Sequence, residues 1–387
     1  MTQWGERPQA PDDLFEGMEE LRVLNLWRVV FLPSPPRSLS LLTKLQTLYL
    51  CDCHLKNVSA IGELETLVIL GFGHSYLEEL PREIGNLTHL RMLDLTQCKL
   101  QRISPGVISS LKRLEELYVI SSFNSLQWVV EEGGKGENMV NLTELLSLSN
   151  LTHLETFLPY AKFPRGINHF KNLERFWILI KDGEKRNWSP KEGYRNKLEL
   201  HLDTEIPIDG WINVLLKKTE TLRLTWKGAK NVLNDLITPE SLVKLKSLCL
   251  YDCEGLEYLI DAVDFIPDNI FPNLESLKID CVDNLKMICH GELPARSFSE
   301  LRRLDLRNLR ELMHLWKDPT EVVSLRNLRH VQKLEVNQEI EQEEHLVKAW
   351  EVEQEIEQEE HLDKELEVNQ EIGYEEHLDD NDDDHEN

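Results

Sequence analysis

The stretch LRMLDLTQCKL, residues 90–100, decides the fold. Leucines fall at Leu90, Leu93 and Leu95, and Cys98 follows three residues after the last of them. Leu93, Asp94 and Leu95 alternate with the period of two that a strand requires, so the two leucines face one side and Asp94 the other. The same L-x-x-L-x-L pattern reads as LRVLNL (21–26), LQTLYL (45–50), LETLVI (64–69), LEELYV (114–119), LERFWI (173–178), LKSLCL (245–250), LESLKI (274–279) and LRRLDL (301–306). TETLRL (219–224) is a looser copy and LETFLP (154–159) a degraded one. The first leucines of successive copies are 24 residues apart at 21 to 45 and 90 to 114, then 29 and 27 apart at 245, 274 and 301. Leucine alone supplies 67 of the 387 residues, a bias that a repeated core would produce.

These spacings match the leucine-rich repeat. One repeat cannot bury its leucines alone. Stacked neighbours bury them in a continuous apolar column and pair their strands in parallel. The expected fold class is therefore an α/β repeat solenoid, a leucine-rich repeat horseshoe with one short parallel strand per repeat on the concave face. The repeat domain is expected over 21–333, after an N-terminal flank of 1–20. It is expected to be irregular near 123–150, which holds a Gly-rich run from Gly133 to Gly136, and near 181–197, a polar basic stretch that reads as an exposed loop. Cys53, Cys98 and Cys253 share one register position, where a small buried side chain helps satisfy a turn's backbone groups.

The net charge of −26 is unevenly placed. From Leu334 to Asn387, 23 acidic residues face two basic ones, whereas the rest of the chain carries 41 basic and 46 acidic groups. This segment, 334–387, repeats with a period of 16 and reads as an acidic tail, disordered or marginally helical, because its like charges lack basic partners at i+4. His345, His361 and His377 recur 16 apart, a step that converges ligands in no regular element. The body has no long basic stripe, so no nucleic acid is expected as a partner. No run of 18 apolar residues occurs, so no membrane span is expected. The N-terminal MTQWGERPQAPDD has no apolar h-region, and seven cysteines show no knot-like clustering. Together these point to a cytoplasmic, reducing location.

Motifs that would carry chemistry are missing. Cys51-Asp52-Cys53 is not a zinc half-site, because alternate strand residues face opposite ways. The glycine run at 133–136 lacks the GK[ST] ending of a phosphate loop. No G-x-S-x-G elbow and no catalytic pair of carboxylates appears, so neither an enzyme nor a cofactor is expected. Five N-x-S/T triplets, at Asn57, Asn86, Asn141, Asn150 and Asn187, read as products of the repeat rather than as glycosylation sites.

LEELPREIGNLTHLRMLDLTQCKLQRI (77–103) and the segment 252–309, above all ICHGELPARSFSELRRL (288–304), resemble the repeats of plant coiled-coil nucleotide-binding leucine-rich repeat (NBS-LRR) disease resistance proteins. The likeness covers roughly 12–330. It implies a protein-recognition role in plant innate immunity, with a pathogen effector, a guarded host protein or the nucleotide-binding domain of a receptor as partner. The coiled coil and nucleotide-binding domains are expected to be lacking, and no GxxxxGK[ST] occurs, so the resemblance lends no ATP chemistry. MHLW at 313–316 only superficially resembles the switch domain's Met-His-Asp motif and is read as core packing. The alternative is a truncated receptor fragment or decoy without signalling activity.

By register, the outward positions of the concave strands include Trp27, Tyr49, Tyr118, Trp177, Arg223, Tyr251, Lys278, Arg303 and Arg307. Aromatics and arginines dominate interface hot spots, so these nine are the candidate partner-binding residues.

Overall fold

The computed structural model describes residues 10–100, 102–120, 127–129, 139–159, 170–181, 194–202, 210–227, 242–261, 270–292, 297–315 and 327–334. Thirteen strands form one parallel sheet in chain order. They are Val23–Trp27, Thr47–Cys51, Ile69–Gly71, Met92–Asp94, Glu116–Tyr118, His153–Leu158, Arg175–Lys181, Asn196–Leu202, Thr221–Trp226, Ser247–Tyr251, Ser276–Asp280, Arg303–Arg307 and His330–Leu334. The other side carries short helices, among them Arg37–Leu41, Ser59–Glu63, Arg82–Asn86 and Val107–Ser110. The expected repeat solenoid is the observed fold.

The core is a set of register-matched columns. Leu48 stands opposite Leu24 and Leu70, Leu93 opposite Leu70 and Leu117, and Leu154 opposite Leu117 and Phe176. From Leu48 to Phe176 this column is buried throughout. Each such leucine stabilises the fold by roughly 1.5–3 kcal/mol relative to an exposed one. On the far side the helical turns pack closely. A β-carbon on Gly62 would stand 2.3 Å from the carbonyl oxygen of Glu83, so only glycine fits there.

Several repeats leave the concave strand through a left-handed residue: Arg28, Asp52, Asp252, Cys281 and Asn308 have φ between 51° and 61°. The turn at Asp52 carries the chain down to Cys53, whose Sγ donates to the carbonyls of Cys51 (3.3 Å) and Leu26 (3.7 Å). Cys253 Sγ does the same toward Leu224 O at 3.5 Å. Cys53, Cys98 and Cys253 are all buried, as the register requires. A second ladder precedes the strands. The side-chain amides of Asn150, Asn172, Asn273 and Asn327 donate to Lys112 O, Ser149 O, Val243 O and Ser299 O of the preceding repeat, at 2.6–3.2 Å. Asn141 instead caps the helix Leu142–Leu146, accepting from Thr143 N at 2.9 Å.

The structure corrects five local readings. The repeat read at 64–69 lies three residues later, because Leu70 and not Leu67 stands opposite Leu48. Leucines at 64, 67 and 70 make either frame fit, and pairing decides between them. Likewise LETFLP (154–159) gives way to a frame at 151–156, with Leu154 opposite Leu117 and Thr156 at the second inward position. The segment read as a loop to 197 ends in the strand Asn196–Leu202, and His330–Leu334 adds a strand beyond the last repeat recognised. Met313 of MHLW is 53% exposed, so it is not core packing. Within 123–150, a parallel pair of strands, Gln127–Val129 and Met139–Asn141, leads into the Leu142–Leu146 helix. Leu334, the first residue assigned to the acidic tail, closes the strand His330–Leu334, and the glycine run and the rest of the tail, 335–387, lie outside the described residues.

The repeats also slip by two residues in the middle of the sheet. Phe176 stands opposite Asn196, while Ile178, Leu198 and Leu222 line up together. A slip of two keeps inward residues inward. Asn196, at the inward end of the interrupted column, is tied by Oδ1 to Phe176 N (3.2 Å) and by Nδ2 to Lys218 O (2.9 Å).

Candidate functional site

The concave face is built from the outward positions between and beside the strand leucines. Register places the nine candidates in separate rows. Tyr49, Tyr118 and Trp177 belong to one row, in which Tyr49, Gly71, Asp94, Tyr118, Glu155, Trp177 and Lys197 stand opposite one another in turn. The two-residue slip moves Arg223 and Lys278 into another row, Glu199, Arg223, Cys249, Lys278 and Asp305. Tyr251 and Arg307 flank Asp280 in a third. Arg303 stands at the leading edge, opposite Ser276 and His330. Trp27 lies at the N-terminal end of the sheet, exposed and opposite Cys51.

The first row is aromatic and acidic. The ring of Tyr49 covers Gly71 and its hydroxyl lies 3.6 Å from Met92 Sδ. Tyr118 donates its hydroxyl to Glu116 at 2.7 Å. Partial burial pushes both tyrosines above their ordinary pKa. The neighbouring Asp94 adds to the shift of Tyr49, and the bond to Glu116 to that of Tyr118. Glu155, between Tyr118 and Trp177, is raised above the usual carboxylate range by burial, against the pull of Arg175, with Asp94 adding to the rise. Lys197 Nζ lies 5.5 Å from the centre of the Trp177 ring, a cation–π contact within the row.

The second half of the face is basic but internally compensated. Glu199 is only 4% exposed, with His201 Nε2 at 2.5 Å and Arg223 Nε at 3.8 Å. The Arg223 guanidinium sits 5.1 Å from the Tyr251 ring centre. Arg307 holds Asp305 in a two-pronged bond of 2.7 and 3.0 Å, and Lys278 Nζ lies 3.8 Å from Asp280 and 3.9 Å from Asp305. Cys249 is pushed up to about 11 by burial, against Arg223 and Lys278, which keeps it a thiol.

Reading aromatics and cations alone passed over Asp94, Glu116, Glu155, Glu199 and His201. Asp94 and Glu155 occupy the same position between inward residues as Tyr49, so the register already marked them. Glu199 and His201 were hidden because their strand does not begin with a leucine. Among the described residues, no three of His, Cys, Asp and Glu are placed to share a metal ion. No helix among them is long and apolar enough to cross a membrane.

Comparison with known proteins agrees with this geometry. The family described as leucine-rich repeat region matches residues 15–369. The chain is 27% identical over 316 residues to Disease resistance protein At4g27190 of Arabidopsis thaliana, covering 79% of this chain and 29% of that protein. It is 30% identical over 148 residues to Disease resistance protein RPS4B of the same plant, covering 35% of this chain and 12% of the relative. The chain thus spans less than a third of the length of either. Among solved structures, a leucine-rich repeat protein of Leptospira interrogans shares the fold with a TM-score of 0.52 at 20% identity, over 85% of this chain and 75% of its own. With the repeat register, the parallel sheet and the family match in agreement, the chain belongs to the leucine-rich repeat proteins, and its repeats are similar to those of plant disease resistance proteins.

Proposed function

We propose that this chain is a protein-recognition module of plant innate immunity that binds its partner on the concave face. The observation that carries this is the concave sheet itself. Thirteen parallel strands present outward aromatic and charged side chains in ordered rows, while the fold on the other side is apolar core. Such a surface suits contact with another protein. The similarity to disease resistance proteins supports the defence setting, with a pathogen effector, a guarded host protein or a receptor's nucleotide-binding domain as the partner. The reading is of a binder and not of an enzyme, acting in the cytoplasm.

Affinity capture from plant tissue tests it, with the full chain and its Trp177→Ala/Arg303→Glu variant as baits. Proteins recovered with the wild-type chain should be lost from the variant. Recovery of the same proteins at the same yield would remove the concave face as the binding surface.

A further inference from the structure

The row of Tyr49, Asp94, Tyr118, Glu155 and Trp177 has a composition that specifies more than a protein surface in general. Neighbouring strands lie about 4.8 Å apart, so carboxylate and aromatic side chains alternate at that spacing, and the positions of Asp94 and Glu155 are roughly 10 Å apart with Tyr118 between them. Tyr118 is held by its bond to Glu116, which adds a third carboxylate beside the row. Asp94 uses Oδ1 to accept the Thr96 amide at 2.8 Å. Among the described residues the Glu155 carboxylate has no hydrogen-bond or ion-pair partner, and Arg175 and Lys197 act on it only at longer range.

Elsewhere on the concave face the acids are answered from within. Glu199 has His201, Asp305 has Arg307, and Asp280 has Asn308 Nδ2 at 2.9 Å. Among the described residues, the first row alone keeps an unanswered, half-buried carboxylate, at a register position between two aromatics. A half-buried carboxylate without a partner is costly, and a cation supplied from outside would relieve that cost. A planar guanidinium suits the arrangement better than an ammonium, because it can lie on an aromatic ring and still fork to a carboxylate.

We propose that this row is an arginine-recognition strip: an arginine side chain of the partner protein stacks on Tyr118 or Trp177 and pairs with Glu155 and Asp94. This inference rests on the concave-face reading above and names the partner chemistry it selects. The raised pKa of Glu155 agrees with it, since a bound guanidinium would restore the charged form.

The test selects a phage-displayed library of random nine-residue peptides on the full chain in 150 mM salt. A soluble 334–387 peptide is present in excess to remove binders of the acidic tail. Parallel selections use Asp94→Asn/Glu155→Gln, whose amides keep the shape and the Thr96 contact, and melting curves confirm that the variant folds. The wild-type pool should be enriched in arginine over the input, and that enrichment should fall at least tenfold on the variant. A wild-type pool with no arginine excess, or an equal excess on both proteins, would overturn the inference. In the tissue capture, partners retained by Asp94→Asn/Glu155→Gln but lost by Trp177→Ala/Arg303→Glu would overturn the arginine strip and leave the concave face standing. Partners retained by both variants would overturn both readings.

Discussion

The ring of Tyr49 lies directly over Gly71: a β-carbon at 71 would stand 2.3 Å from Tyr49 Cδ1 and 2.6 Å from Cε1. The two residues face each other across adjacent strands, and Gly71 in turn faces Asp94. The missing side chain at 71 therefore lets an aromatic lie flat on the concave face, next to the first carboxylate of its row.

Gly71→Ala should displace the Tyr49 ring and not the backbone, because the obstructing atoms belong to a side chain. The expected stability change is within about 1 kcal/mol, as alanine in a strand recovers roughly 0.5–1 kcal/mol of backbone entropy. Partner affinity should fall, and Tyr49→Ala should add little further loss on top of Gly71→Ala. Full additivity of the two in a binding assay would show that Gly71 does not act through Tyr49.

Gly62→Ala provides the opposite case. Its β-carbon would meet the carbonyl oxygen of Glu83 at 2.3 Å, and that backbone belongs to the next helical turn of the stack. Overpacking of this kind costs about 1–3 kcal/mol. Urea denaturation should show the loss, with binding to the concave face unchanged for the protein that remains folded. A midpoint equal to wild type would mean that the two turns can separate without cost.

Thr156 occupies an inward position that leucine or isoleucine fills in most repeats, and the reason is Trp128. The indole Nε1 donates to Thr156 Oγ1 at 2.8 Å in the buried interior. Thr156→Val should cost about 1–3 kcal/mol by orphaning that donor, and Trp128→Phe in the same chain should recover part of the loss. Stability measured over the four-variant cycle checks it. A Thr156→Val variant as stable as wild type would show that the donor is satisfied some other way.

These cases also mark the limits of what is legible in the amino-acid sequence. The stacked strands and the inward leucines follow from a period of two inside a longer repeat, and Cys53, Cys98 and Cys253 follow from their distance to the strand. Frame was ambiguous where leucines recur every three residues, as at Leu64, Leu67 and Leu70. It was invisible where polar residues replace them, as at Thr156 and Asn196. Each of those polar substitutes is tied by a hydrogen bond to a distant residue, Trp128 or Lys218, that no local pattern announces. The rows of the concave face depend on the two-residue slip near Asn196, which is a property of pairing between strands and not of any one repeat.

All seven cysteines are free, and they divide by burial. Cys53, Cys98, Cys253 and Cys289 are buried, and burial pushes Cys98, Cys253 and Cys289 up to about 12. A thiol reagent acts on the thiolate, so at pH 8 the native chain should react at Cys51, Cys249 and Cys281 at most, and slowly at Cys249. The remaining four should react only after denaturation. Rapid native titration of all seven would contradict the packed cysteine positions that close the strand turns.

Glu155 allows a test of whether the arginine strip carries a built-in cost. Its folded-state pKa is raised, first by burial and further by Asp94. Between its unfolded and folded pKa the native state binds more protons than the unfolded state, so this residue makes stability fall as pH rises through that window. The cost is fully present above the folded pKa and absent below the unfolded one. Glu155→Gln should therefore be at least as stable as wild type at pH 7, and its advantage should vanish when both proteins are compared under mildly acid conditions. Its binding of arginine-bearing peptides should nevertheless drop. A residue held for packing would lose stability on the same substitution at pH 7, so thermal melts at the two pH values, set beside the peptide selections, separate a site kept for binding from one kept for the fold.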